Sequence, residues 1–145
     1  MARLDRPRFL AFGVLSTANA VALALYALGL ATHGRGAAAH AQPVLFVLVG
    51  LCLLAALCAA ILRGHDLGLP AWQMLVAFVL SLCLGPVVLV LLGLLAWKAG
   101  ETGSNAYGAP PGPASAGTWL VAALVLALPW GVFAIAVLRL QGWRL

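Results

Sequence analysis

Polar residues in this chain fall in clusters, and the stretches between them are almost unbrokenly apolar. A helix needs about 20 largely apolar residues to span a hydrocarbon layer of about 30 Å, since each residue rises about 1.5 Å. Four stretches reach that length: about Phe9 to Ala31, Val44 to Leu62, Ala71 to Trp97 and Thr118 to Leu138. None contains Lys, Arg, Asp, Glu or His. The pattern predicts an all-α, polytopic integral membrane protein. Residues 1–145 form a single membrane domain of four transmembrane helices in a compact bundle. The third stretch is longer than the layer is thick and must tilt or bend. Gly85-Pro86 lies midway along it, and a proline there removes one helix hydrogen bond. Pro129 stands similarly in the fourth stretch, and both positions read as static kinks or as hinges.

Composition narrows the class further. Hydrophobic residues make up 65% of the chain and charged residues 8%, where an average soluble domain has about 25% charged. Mean hydropathy is +1.11. So few charged side chains cannot cover the surface of a soluble monomer, which excludes soluble globular and disordered classes. The net charge of +5 comes from scattered basic residues without a basic, aromatic-interleaved stripe, so nucleic acid is not expected as a partner. Their simpler role is to orient helices and meet anionic lipid headgroups. Arg3, Arg6, Arg8, Arg63, Arg139 and Arg144 fall in alternate segments, against Arg35 and Lys98 in the others. Under the positive-inside rule this places both termini in the cytoplasm. Trp72 and Trp97 flank the third stretch, and Trp119 and Trp143 the fourth, as interfacial anchors. The small-residue run Ala39-His40-Ala41 resembles a signal cleavage site. The apolar run before it exceeds the roughly 7–15 residues of a signal, so an uncleaved first helix is expected.

Membrane helices associate by close packing, which favours small residues four apart. Cys52, Ala56 and Ala60 form such a row, as do Ala123, Ala127 and Gly131, with a shorter one at Ala20 and Ala24. Cys52, Cys58 and Cys83 read as buried packing residues, because they lie in apolar company with no histidine or carboxylate nearby in sequence. Catalysis needs several positioned acid, base or metal groups, and HExxH, nucleophile-elbow and paired-carboxylate patterns are all missing from the sequence. In the four-span topology His33 and His40 face one side and His65 the other, and Glu101 and Asp66 also lie on opposite sides. No enzyme activity, cofactor or metal is expected.

Two polar connections carry the remaining information. In the segment from Leu62 to Trp72, Arg63 can snorkel to headgroups and Asp66 can accept amides at the start of the third helix. Pro70 suits that helix's first turn, and Trp72 anchors it at the interface. His65 with Asp66 is also readable as a ligand or proton-handling pair. In the segment from Gly100 to Pro113, Gly100 suits a left-handed helix cap with Lys98 answering the helix dipole. Its further glycines, Asn105 and prolines specify tight turns in an ordered loop.

Arg63, His65-Asp66, Trp72 and Pro86, followed by Gly100, Gly103, Asn105, Tyr107-Gly108 and Pro110, resemble the bacterial membrane family called Domain of Unknown Function 805. That family typically shows Arg-Arg-Leu-His-Asp, Gly-Trp, a mid-helix proline and Gly-x-x-Gly-x-Asn-x-Tyr-Gly-x-Pro. The resemblance covers about Leu62 to Pro113. Here Leu62 replaces the first arginine, Gly64 the leucine, and Ala71 the glycine before Trp72. The resemblance implies a bacterial inner-membrane protein and leaves its molecular activity unassigned.

Arg63, His65, Asp66 and Trp72 therefore stand as a candidate cytoplasmic interface motif. Gly100, Gly103, Asn105, Tyr107, Gly108 and Pro110 stand as a candidate periplasmic one. The favoured function is a non-catalytic protein that binds lipid or a membrane-protein partner, or another copy of itself, and organises the membrane. The alternative is a small solute transporter or channel subunit acting as an oligomer, with Asn19 and Ser81 as its mid-membrane polar groups.

Overall fold

The computed structural model describes residues 3–33, 42–85 and 87–140. Ala39-His40-Ala41, Arg35, Pro86, Trp143 and Arg144 lie outside these, as do the side chains of His33 and Leu140. The first helix, α1, is assembled from an α turn at Arg6–Phe9, a π turn at Leu10–Val14 and an α segment at Leu15–His33. The carboxylate of Asp5 caps it by accepting from the Arg8 amide at 3.0 Å, with a proline in the first turn where no donor is lost. Phe9 folds over Gly13, where a Cβ would lie 2.6 Å from the Phe9 ring. The other helices among the described residues are α2 (Gln42–Asp66), α3 (Ala71–Cys83), α4 (Val87–Trp97) and α5 (Ala116–Leu140). Among the described residues, only α1, α2 and α5 are long and apolar enough to cross a membrane.

The expected single helix over 71–97 is thus two short ones, and the chain reverses between them. Met74 of α3 packs against Gly64, and the C-terminal carbonyls of α4 reach Arg63. Both ends of the 71–97 segment therefore lie against the end of α2, which only a hairpin can satisfy. Leu84 closes α3, and Gly85 follows with φ +65°, a left-handed conformation that glycine adopts without a Cβ clash. The α3 helix has 13 residues and α4 has 11, so each rises about 20 Å or less, short of a full crossing.

The core divides accordingly. Near Arg3, Phe9, Ala56, Ala60, Met74, Phe78, Leu92 and Leu95 bury one another. Further along, Ala20, Leu23, Ala27, Leu45, Leu48 and Cys52 pack with Phe133 of α5, and the hairpin contributes nothing. The hairpin fills half the length of the bundle, while α5 runs beside α1 along both halves and joins the core of the second through Phe133. Helix α5 runs parallel to α1: Arg8 meets the carbonyls of Gly112 and Pro113, and Tyr26 meets Trp130 and Phe133 edge-on. The end of α5 and Arg3 therefore lie at opposite ends of the bundle, not at the same end as four spans require.

Small residues behave unevenly. Cys52, Ala56, Ala60 and Ala20 are buried as expected, whereas Ala24, Ala123, Ala127 and Gly131 face outward. Cys58 and Cys83 are exposed and not packing residues. The reason in α5 is its peripheral position: it presents Ala122 and Phe133 to the core, on a different face from the small-residue row.

Asn19 has a defined structural task. Pro129 has no amide hydrogen, so the carbonyl of Val125, one turn earlier, loses its helix donor. Asn19 Nδ2 supplies that donor at 2.7 Å, and its Oδ1 accepts from Trp130 Nε1 at 3.1 Å. Asn19→Leu should lower stability by about 0.6–2 kcal/mol, the range for interhelical hydrogen bonds in membranes. In a Pro129→Ala background the loss should shrink, because the amide that this substitution introduces restores a helix donor to the Val125 carbonyl. Thermal unfolding of the four proteins in one detergent measures that coupling, and a coupling of zero would contradict it.

Candidate functional site: a buried arginine–carboxylate cluster

Helix α2 runs four residues beyond the expected Leu62, so Arg63, Gly64, His65 and Asp66 form its last turn. Gly68, at φ +74°, ends it. The Leu69 amide donates to the Gly64 carbonyl at 2.8 Å and the Gly68 amide to that of His65 at 3.2 Å. This is the Schellman pattern. It turns Asp66 inward, so Asp66 does not cap α3 as expected; α3 begins after Pro70, without a side-chain cap.

Two guanidinium groups meet Asp66. Arg3 donates to Oδ1 from Nε at 3.0 Å and from Nη2 at 2.8 Å, a fork that fixes direction as well as distance. Arg63 Nη1 donates to Oδ2. Arg63 is 1% exposed, Asp66 3% and Arg3 7%, so Arg63 does not snorkel to headgroups. One carboxylate cannot balance two buried cations, and the surplus charge is met by carbonyls. Arg63 donates to Leu95 at 2.9 Å and to Lys98. Arg6 donates to Ala96 at 2.7 Å and to Trp97. These are the orphan carbonyls at the end of α4, where the helix dipole is negative. The expected partner of that dipole, Lys98, is replaced by two arginines from other parts of the chain.

The second connection and the third also meet. Arg3 Nη1 donates to the carbonyls of Gly103 at 2.7 Å and Gly108 at 3.1 Å, and Nη2 to that of Glu101. The Glu101 amide donates to the Asp66 carbonyl at 2.9 Å. Asn105 Nδ2 donates to the His65 carbonyl at 2.9 Å and to Glu101 Oε2 at 2.6 Å, while its Oδ1 accepts the Tyr107 amide at 2.9 Å. His65 and Tyr107 stack at 4.1 Å with planes 6° apart. Gly108 has φ +117° where it pairs with Asn105. Gly100 is not left-handed; a Cβ there would overlap Asp66 Oδ2, so close approach is what calls for glycine. Pro110 borders a small hollow with Asp5, Arg63 and Asp66.

The residues expected on two faces of a membrane are therefore one cluster. Glu101 and Asp66 are hydrogen-bonded neighbours, not groups on opposite sides. Trp72 and Trp97, expected at opposite interfaces, both lie at the Arg3 end, together with Trp119 at the start of α5. They are 63%, 82% and 56% exposed. Arg3 is the site residue that sequence reasoning missed, having been counted only as an orienting charge. Leu62, where the family resemblance leads one to expect an arginine, offers its carbonyl to the Leu4 amide at 3.1 Å, and Arg3 brings the second guanidinium. Among the described residues no group of three or more His, Cys, Asp or Glu is placed to hold a metal.

The family model described as protein of unknown function (DUF805) matches residues 1–109, about three-quarters of the chain. The chain belongs to the DUF805 family. The match runs from the N-terminal segment that supplies Arg3 through the Asn105–Gly108 turn, and it stops before α5. No curated protein and no solved structure matches the chain.

Proposed function

We propose that this DUF805 protein is a non-catalytic component of the bacterial inner membrane that binds lipid or a membrane partner at the Arg3 end of the bundle. The observation that carries the reading is the division of labour among the charged groups at that end. Arg3, Arg63 and Asp66 are spent on one another and on backbone carbonyls, so none of the three is free for acid, base or nucleophilic work. Around them stand exposed Trp72, Trp97 and Trp119, with Arg6 and Lys98. Tryptophan and basic side chains together suit a headgroup-level surface.

This end is the cytoplasmic one in our reading. Arg3, Arg6, Arg8, Arg63 and Lys98 belong to segments at that end, against Arg35, Arg139 and Arg144 in the other segments, and the excess marks the inside. The hairpin enters and leaves from the cytoplasm, and the last turn of α5 is outside. Non-spanning helices at membrane depth are tolerated where they are packed against protein, and α3 and α4 are. An oligomeric solute path draws little support, because Asn19 and Ser81 are bonded to the chain's own backbone.

Native mass spectrometry of the protein released from lipid nanodiscs tests the reading. A specifically retained lipid or protein is expected. Release of a bare monomer, together with solute flux in liposomes, would overturn it in favour of transport.

A further inference from the structure

The hairpin does not close evenly against α1. A groove of about 480 Å³ lies along the seam between α1 and α4, with Leu10, Gly93 and Ala96 as its floor and Arg6, Trp97 and Trp119 at its rim. A second hollow shares Arg6 and Trp97 and adds Lys98. Among the described residues no carboxylate lines either hollow. Arg6 uses Nε and Nη2 to hold α4, while its Nη1 makes no hydrogen bond among the described residues and the side chain is exposed. Lys98 contributes its carbonyl to Arg63, and its side chain is also exposed.

The same seam continues into the apolar zone. One helical turn from Leu10 is Val14, and one turn from Gly93 toward the hairpin tip is Leu89. Both border a further hollow of about 330 Å³, which Ala18 and Ala22 widen and Leu92 completes. Cations and tryptophans share the hollows at the Arg3 end, and an apolar channel follows away from it. That order matches phosphate, interfacial glycerol and acyl chain.

We infer that this groove is a binding site for an anionic phospholipid, with its phosphate between Arg6 and Lys98 and an acyl chain laid along α1 and α4. The inference rests on the lipid-binding reading above and names its site and ligand class. Charge selects the headgroup: two basic side chains without a lining carboxylate favour a net negative lipid over a zwitterionic one.

Two variants test it without touching the cluster. Lys98→Gln removes a cation and keeps the carbonyl that Arg63 uses. Gly93→Leu fills the floor; a Cβ there meets nothing within 4 Å, and leucine is a better helix former than glycine. In nanodiscs of equal phosphatidylglycerol and phosphatidylcholine, the wild-type full-length protein is expected to retain phosphatidylglycerol preferentially. Lys98→Gln should lower that occupancy about fivefold, the ordinary contribution of one basic residue at an anionic surface. Gly93→Leu should lower it at least as much, with thermal stability unchanged in both. Arg139→Gln, at the other end of the bundle, should leave it unaltered. Equal retention of phosphatidylglycerol by wild type, Lys98→Gln and Gly93→Leu would overturn the site and leave lipid binding standing. Equal retention of the two lipids would overturn the headgroup assignment. No retained lipid in the wild type would overturn the site and the lipid-binding reading together.

Discussion

Asp66→Asn is expected to lower stability by about 3–5 kcal/mol, the range for removing one partner of a buried ion pair. The mutation keeps the shape of the side chain and removes its charge. Arg3 and Arg63 would then share a site with side chains almost wholly out of solvent and no carboxylate to face. Neither can shed its proton to escape, because arginine stays charged in proteins. The nearest relief is for Arg3 to leave, and it carries three loop carbonyls with it, those of Glu101, Gly103 and Gly108. Loss of stability should therefore come with proteolytic cleavage of the 98–113 segment, seen by limited digestion of the protein in nanodiscs. Adding Arg3→Gln to Asp66→Asn should recover part of the loss, since it removes the stranded cation. A stability change below about 1 kcal/mol, the scale of exposed pairs, would show that the cluster is solvated and not a clamp.

Gly100→Ala is expected to be nearly as damaging, which is unusual for a single methyl group on a connecting segment. The backbone at Gly100 is not in the left-handed region, so alanine meets no conformational penalty. The whole effect comes from one contact: the new Cβ would overlap Asp66 Oδ2. Either the carboxylate leaves Arg63 or the loop lifts away from α2, and the Glu101 amide then loses the Asp66 carbonyl. Overpacking of this kind ordinarily destabilises by about 1–3 kcal/mol, and displacement of the carboxylate moves the result toward the upper end. Gly103→Ala is the control on the same loop, since a Cβ there meets nothing within 4 Å and should change the melting temperature little.

Much of the helical content was legible because apolar length is a direct consequence of the bilayer's thickness. The first, second and fourth stretches are helices of spanning length, extended by a few residues at their ends. The third could not be resolved by the same signal. A run of 27 uncharged, largely apolar residues from Ala71 to Trp97 has the same hydropathy whether it crosses once or turns back. Gly85-Pro86 was visible as a break, but its angle depends on what the two halves pack against, here the last turns of α2. The basic residues were also ambiguous, because exchanging the sides of Lys98 and of Arg139 and Arg144 still leaves an excess at the N-terminal end.

The two polar motifs were found in the sequence, and their meeting was not. Each is internally consistent as a loop, and nothing in the Asn105–Tyr107 turn signals that its partner is 40 residues earlier. Charge balance could not have signalled Arg3, because Arg63 already neutralises Asp66 and a second arginine leaves a surplus that the carbonyls of Glu101, Gly103 and Gly108 meet. Asn19 was visible as a rare mid-membrane amide, but its task is set by Pro129, far along the chain.

The most direct test of the account is the sidedness of three positions. Single cysteines replace Ala2, Ser104 and Leu145 in a full-length protein with Cys52, Cys58 and Cys83 changed to alanine. A membrane-impermeant maleimide is applied to spheroplasts and, separately, to inverted vesicles. The hairpin arrangement predicts that positions 2 and 104 react only in inverted vesicles and position 145 only in spheroplasts. Labelling of 2 and 145 from one side with 104 from the other would contradict it, and would restore four crossings.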